Sequence, residues 1–331
     1  MGAWAQSNVT LYGRIEVSAI QLKFNATPTK PSSSLKTLSS DASLLGFRGT
    51  EDLGDGLRAF FKLETGYQLD TGAQSSATQF FNRESYVGLG STTWGSVQLG
   101  SQYAPAVFMS GRVDPFHRLG LGANPNLFQG PRGYTLTYNN SIQYLTPDFS
   151  GVSGKLLVSA GEGAATGRSY SAQAQYAKAP IFVGATYDQV KVAAPAVGLS
   201  GAPVWSRTAA LTATYDFGVA NVYGWYQSNR IDNLPNNNGF SIGATVPVGQ
   251  GVIVGSYSRI KAGDQGATQG AIGYDYFLSK RTLLFINAAL INNSDRTSYL
   301  LGTARIEQIG VGLPGLGQDS KGVQFGMRHS F

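Results

Sequence analysis

From the ninth residue the chain alternates. Val9, Leu11, Gly13, Ile15, Val17 and Ala19 interleave with Thr10, Tyr12, Arg14, Glu16 and Ser18. Successive side chains of an extended strand point to opposite faces, so this stretch predicts a β-strand with one apolar and one polar side. The pattern returns from Leu57, where Leu57, Ala59, Phe61, Leu63, Tyr67 and Leu69 oppose Arg58, Lys62, Glu64, Gln68 and Asp70. It recurs as Tyr134, Leu136, Tyr138, Ile142 and Tyr144 against Thr135, Thr137, Asn139, Ser141 and Gln143, and again in the segments beginning at Tyr170 and Thr208. No helical period competes over any sizeable stretch.

Breakers between these segments fall into two alternating kinds. Short turns are predicted at 51–56, 91–95, 147–151, 178–180, 217–219, 247–251 and 279–281, and longer loops at 25–41, 70–79, 101–133, 161–167, 191–205, 230–238, 263–266 and 292–319. The segments between them number about sixteen, an all-β chain of hairpins with short turns at one end and long loops at the other.

The apolar faces must meet something. Strands of a soluble sandwich typically run ~5 to 6 residues, and these are longer. Ten residues rising ~3.3 Å each at a tilt near 45° climb roughly 23 Å, the height of the apolar band of an outer-membrane barrel. Tyr12, Tyr67, Phe80, Tyr144, Phe217 and Tyr276 fall toward strand ends, where interfacial aromatic girdles sit. Closure leaves no unpaired strand edge in hydrocarbon. The reading is therefore a 16-stranded antiparallel transmembrane β-barrel with lipid outside and water inside. Its inward wall would carry Arg14, Glu16, Arg48, Arg58, Lys62, Glu64, Gln68, Gln98, Thr137 and Asn139.

A ring of sixteen strands has a backbone radius of roughly 17 Å, too wide for side chains to fill. A constriction is then required. The loop about 101–133 is medium-length and holds Arg112, Asp114, Phe116, His117, Arg118 and Arg132. It is expected to fold inward and set the size limit.

Composition narrows the alternatives. Among 331 residues there is no cysteine, which excludes disulfides and Cys-ligated metal or iron-sulfur sites. Charged residues make up 13%, about half the share usual in soluble domains. The long uncharged stretch 233–258 is broken by Pro235, Pro247 and glycines, so it offers no spanning helix. Ala3-Trp4-Ala5 has the A-x-A form of a secretory cleavage site. Met1 to Ala5 read as the remnant of a signal peptide, and 6–331 as a single barrel domain.

Enzymatic and nucleic-acid readings find little support. His117 and Asp114 share one loop with abundant serines nearby, but sequence proximity does not make a triad. The two histidines, His117 and His329, are too far apart to suggest a metal site, and His329 shares the apolar parity of Val323, Phe325 and Met327. Gly310-Val311-Gly312-Leu313-Pro314-Gly315 matches G-x-G-x-x-G formally, yet Pro314 and the absence of a following helical pattern remove its phosphate-binding geometry. The net charge of +6 is not gathered into a basic run, so nucleic acid is not an expected partner, and no cofactor is implied.

Several segments resemble a known family. Leu45-Gly46-Phe47-Arg48-Gly49-Thr50-Glu51-Asp52-Leu53-Gly54, Phe81-Asn82-Arg83-Glu84-Ser85-Tyr86-Val87-Gly88-Leu89, Asn140-Ser141-Ile142-Gln143-Tyr144 and the ending Gly326-Met327-Arg328-His329-Ser330-Phe331 are similar to Gram-negative general porins of the beta-proteobacterial type. The resemblance implies a homotrimer in the outer membrane, in contact with lipid and lipopolysaccharide, with an inward third external loop. It also implies passive diffusion of ions and small hydrophilic solutes. Arg83 matches a pore-wall arginine of that family, although Val87 and Leu89 share its parity, and Asp114-Pro115-Phe116 resembles the acidic part of the constriction loop. Leu44, Ser101 and Thr137 stand where the family commonly has arginine, so the eyelet should be less cationic than typical unless Arg112, Arg118 and Arg132 compensate. A weak anion preference follows from the basic surplus. The runner-up is a porin selective for a small organic solute; an outer-membrane barrel enzyme or an adhesin ranks below both.

Overall fold

The computed structural model describes residues 8–302 and 314–331. Met1 to Ala5, and Gly310 to Leu313 of the glycine-rich motif, lie outside them. The described chain forms one closed antiparallel sheet of seventeen segments. These are β1 (Asn8–Phe24), β2 (Ser33–Ser39), β3 (Leu44–Gly54), β4 (Leu57–Gly66), β5 (Glu84–Ser91), β6 (Gly95–Tyr103), β7 (Thr137–Leu145), β8 (Val152–Ser159) and β9 (Ser169–Lys178). They continue as β10 (Ile181–Val192), β11 (Val204–Asp216), β12 (Asn221–Ile231), β13 (Asn237–Val248), β14 (Gly251–Ala262), β15 (Gln265–Phe277), β16 (Thr282–Asn293) and β17 (Ser320–Ser330).

Seventeen segments make sixteen staves. β2 pairs with the upper half of β1, Ser18 to Phe24, and β3 with its lower half, Asn8 to Arg14. Residues 40–43 bridge the two. Ser43 Oγ accepts from Glu16 N at 2.9 Å and donates to Glu16 O at 3.0 Å, so side-chain bonds replace the ladder bonds lost at the break. β1 and β17 close the ring in register from Arg14 opposite Ser330 to Phe24 opposite Ser320. All seven predicted short turns lie at the rim holding Asn8 and Phe331 and the other connections at the opposite rim, where the loop expected at 263–266 is instead a two-residue turn between β14 and β15.

The outer face is apolar as the alternation required: Val87, Leu99, Leu211, Ile272 and Phe325 are all exposed. The inner face departs from the prediction over part of the circumference. At the upper end of β1, Ile20, Leu22 and Phe24 point inward and are buried, while Gln21 and Lys23 point outward. Trp225, Ile260 and Ile291 are likewise inward and buried. What covers most of this face is the segment between β6 and β7, joined in the same core by Leu300 and Leu301 from the connection after β16. The β6–β7 segment carries α1 (Pro105–Val113) and α2 (Pro125–Phe128), each opened by a proline in the first turn, where no intrahelical N–H is needed. α1 packs on β9 to β12 and α2 on β14, so the core of this protein sits inside the barrel, between loop and wall.

Candidate functional site

The inward loop is held by contacts that only a few residues could make. Tyr134 and Phe128 stack against Trp225 of β12 at centroid distances of 5.6 and 6.3 Å. Ser110 Oγ donates to Asn124 Oδ1 at 2.7 Å, tying α1 to the approach of α2. Gln227 Nε2 donates to Phe128 O at 3.1 Å, and Gln269 Nε2 to Gly122 O at 2.9 Å. Gln324 of β17 joins three elements: its Oε1 accepts from Leu121 N at 3.1 Å, and its Nε2 lies 2.8 Å from both Ser18 Oγ and Asp41 Oδ2. Gly120, at φ 67°, makes this approach possible, because a Cβ there would lie 2.4 Å from Gln324 Oε1. Gly243 of β13 does the same for Pro115, whose ring carbon would sit 2.5 Å from an added Cβ.

Asp114 corrects the sequence reading. Its expected role is to present charge to the pore, but it is 3% exposed and builds the loop. Its carboxylate accepts from Phe116 N at 3.0 Å, Arg118 N at 3.0 Å and Asn124 N at 2.9 Å. Those bonds hold His117 and Arg118 at φ 53° and 64°, a left-handed conformation that costs ~1–2 kcal/mol per non-glycine residue. Burial nevertheless outweighs the three donors and pushes the Asp114 carboxyl up to about 6. The tip so formed turns His117 outward into the lumen and leaves Arg118 half-exposed. Arg118 Nη2 donates to Gln129 Oε1 at 2.7 Å, and its guanidinium lies 5.6 Å from the Tyr134 ring centroid. Arg112 is exposed, its guanidinium 4.8 Å from the ring of Phe182.

Facing the loop is a wall of charge on β1, β3 to β5 and β17. Glu64 accepts from Tyr12 Oη at 2.9 Å and from Arg83 Nε at 2.9 Å, with Lys62 Nζ 3.3 Å away. Lys62 also bonds Glu84, and Arg328 bonds the fully buried Glu16. Arg14 donates from Nη2 to Ala42 O at 2.8 Å. Arg48 lies over the Tyr12 ring at 5.1 Å and is exposed to the lumen, as is Arg58 near the short-turn rim. Arg83 and Arg328 are both within electrostatic reach of Arg14, and Arg14 and Arg328 also reach His117. Burial inside the barrel and these two guanidiniums hold the His117 imidazole below the usual histidine range.

Arg83 settles its own parity conflict: it precedes β5 by one residue, so strand alternation does not constrain it. Three other positions move. Alternation assigns Thr137 and Asn139 to the pore wall, but β7 carries two residues, Asn139 and Asn140, opposite Ser101 of β6, with Asn140 at φ 52°. This bulge shifts the phase. Tyr138 turns inward, and Asn139 is exposed on the outward parity, accepting from Ser101 Oγ at 2.7 Å; Thr137 lies at the strand end opposite Tyr103. Arg132 sits away from the loop tip, at the long-loop rim, where its Nη2 donates to Pro235 O at 2.8 Å. The loop has by then returned toward the rim to enter β7.

Sequence reasoning also missed Glu84 and Arg328. Both were available from alternation: Glu84 lies opposite Glu64, and Arg328 falls between outward Met327 and His329. The charged wall, the inward loop and the closed sheet can be set beside known proteins. A model of the family described as Gram-negative porin matches residues 2–296. The chain belongs to that family. It is 32% identical to outer membrane porin protein 32 of Delftia acidovorans over 99% of this chain and 95% of that one. It is 27% identical to an outer membrane porin protein of Bordetella pertussis over 94% of each. Among solved structures, a protein described as the anion-selective porin from Comamonas acidovorans superposes with a TM-score of 0.83 at 30% identity, covering 98% of this chain and all of that one. This porin is thus a 16-stranded barrel of the Gram-negative outer membrane and a passive channel.

Proposed function

We propose that the porin passes ions and small hydrophilic solutes through an eyelet formed by His117, Arg112 and Arg118 on the loop and Arg14, Arg83 and Arg328 on the wall, with a weak preference for anions. One observation carries the sign. Glu16, Glu64 and Glu84 are each held by a cation and Asp114 by backbone N–H groups, while Arg48, Arg58 and Arg112 stand exposed without an ion pair among the described residues. Poorly screened positive charge in a narrow pore raises the local anion concentration. The Comamonas protein described as anion-selective supports the same sign. No turnover is assigned to His117.

The reading extends to one barrel domain spanning 6–331, a homotrimeric assembly, and contact with lipopolysaccharide. For the last, Lys23 lies directly opposite Lys321 on the outward face, with Lys36 beside Gln21 and with Arg259 and Lys261 on β14. All five are exposed near the long-loop rim, where outer-leaflet phosphates would lie. Planar bilayers and sugar-loaded liposomes test the channel. The protein should conduct ohmically and swell liposomes up to a sharp solute size, and deletion of 111–126 should raise both conductance and that limit. A folded barrel that does not conduct, or a folded deletion variant with unchanged conductance, would contradict the reading.

A further inference from the structure

α1 uses most of its side chains to pack: Pro105, Ala106, Val107, Met109, Ser110 and Val113 are buried. Phe108 is not. It is 41% exposed, on the side of the helix that also bears exposed Arg112 one turn later. Its ring meets Tyr103 edge-on at 6.2 Å, and the Lys155 ammonium of β8 stands 3.5 Å from its centroid. Tyr103 in turn lies 5.8 Å from the Arg83 guanidinium. Lys155 points inward and forms no ion pair among the described residues; Glu84, the carboxylate within its electrostatic reach, is already bound to Lys62. A wet channel wall thus displays two aromatic rings bracketed by cations, with one ring partly bare.

An exposed phenyl ring on the narrowing loop contributes nothing to packing on its bare side, and a small inorganic anion would make no use of it. A solute with its own flat ring and a negative group would use both: the ring against Phe108 and Tyr103 in offset or edge geometry, the anion at Lys155. We infer that Phe108, Tyr103 and Lys155 form a retention subsite for aromatic monocarboxylates inside the pore. The inference rests on the channel reading and adds a solute class to it.

The test uses the reconstituted protein in planar bilayers, with potassium chloride conductance measured first for every variant. A folded barrel without chloride conductance would remove the channel reading itself. With conductance present, millimolar benzoate should reduce the chloride current saturably, whereas equal acetate should not. Phe108→Ala should raise the half-blocking benzoate concentration tenfold or more, Phe108→Leu should raise it several-fold while keeping apolar bulk, and Lys155→Gln should also raise it several-fold. Benzoate and acetate acting alike on the unaltered pore, or Phe108→Ala blocking as before, would overturn the subsite.

Discussion

The two sides of this lumen are built on different physics. Where the inward loop lies, from β9 round to β17, the inner face is aromatic and aliphatic with amide side chains at intervals. Trp225, Ile260, Ile291, Gln227, Gln269 and Gln324 bury against the loop as a soluble core would. Across the water, on the lower parts of β1 and β17 and on β3 to β5, the inner face is a mesh of Arg, Lys and Glu interleaved with Tyr12, Phe60 and Tyr86. One wall holds the constriction in place and the other charges it. The loop is fixed by burial and by directed hydrogen bonds, so its position should be insensitive to salt, whereas the field across the pore should fall with ionic strength.

The contrast can be broken from either side. Phe128→Ala removes the ring that rests on Trp225 under the loop, a change that costs about 3–5 kcal/mol in a packed core. Heat-induced unfolding in detergent should move down sharply and single-channel conductance should rise as the loop loosens. Arg328→Met strands the buried Glu16 carboxylate, at a cost of about 3–5 kcal/mol. Adding Glu16→Gln should recover most of the loss, and failure of that rescue would show that Arg328 acts by packing. Gln324→Leu takes the acceptor from Leu121 N and a donor from Asp41, a loss of about 1–3 kcal/mol per buried group left unsatisfied. It should appear as added open-channel current noise more than as altered selectivity.

The smallest effect concerns pH. The proton affinity of His117 is lowered by burial, Arg328 and Arg14, so it charges only as pH falls below the ordinary histidine range. Anion preference should therefore rise on acidification through that window. Because the folded imidazole resists protonation more than the unfolded one, its contribution to stability is present at neutral pH and lost as pH falls. His117→Gln should flatten both responses in reversal-potential and thermal-melt titrations; an unchanged acid response in that variant would assign it to another group.

The barrel was legible in the sequence because each stave carries an exposed apolar outer face, and alternation survives wherever only that face must be apolar. It failed where the inner face turns apolar: Ile20, Leu22 and Phe24 point inward in β1, with Gln21 and Lys23 outward, because the chain folds back to cover them, which a local pattern does not reveal. Asn139 failed for a different reason, since one extra residue in β7 inverts every assignment on its far side. Arg14, Lys62 and Glu64 lie on the inner parity, as charge near mid-strand must when the other face is apolar. Asp114 was misplaced because residue type alone does not separate a pore charge from a carboxylate consumed by three backbone N–H groups.

The most direct measurement is the reversal potential of the reconstituted channel in a tenfold gradient of potassium chloride at neutral pH. The chloride-to-potassium permeability ratio should exceed one, move toward one as salt is raised, and fall stepwise in Arg48→Gln and Arg112→Gln. A ratio below one in the unaltered protein would contradict the claim that the charged wall leaves net positive charge facing the solute.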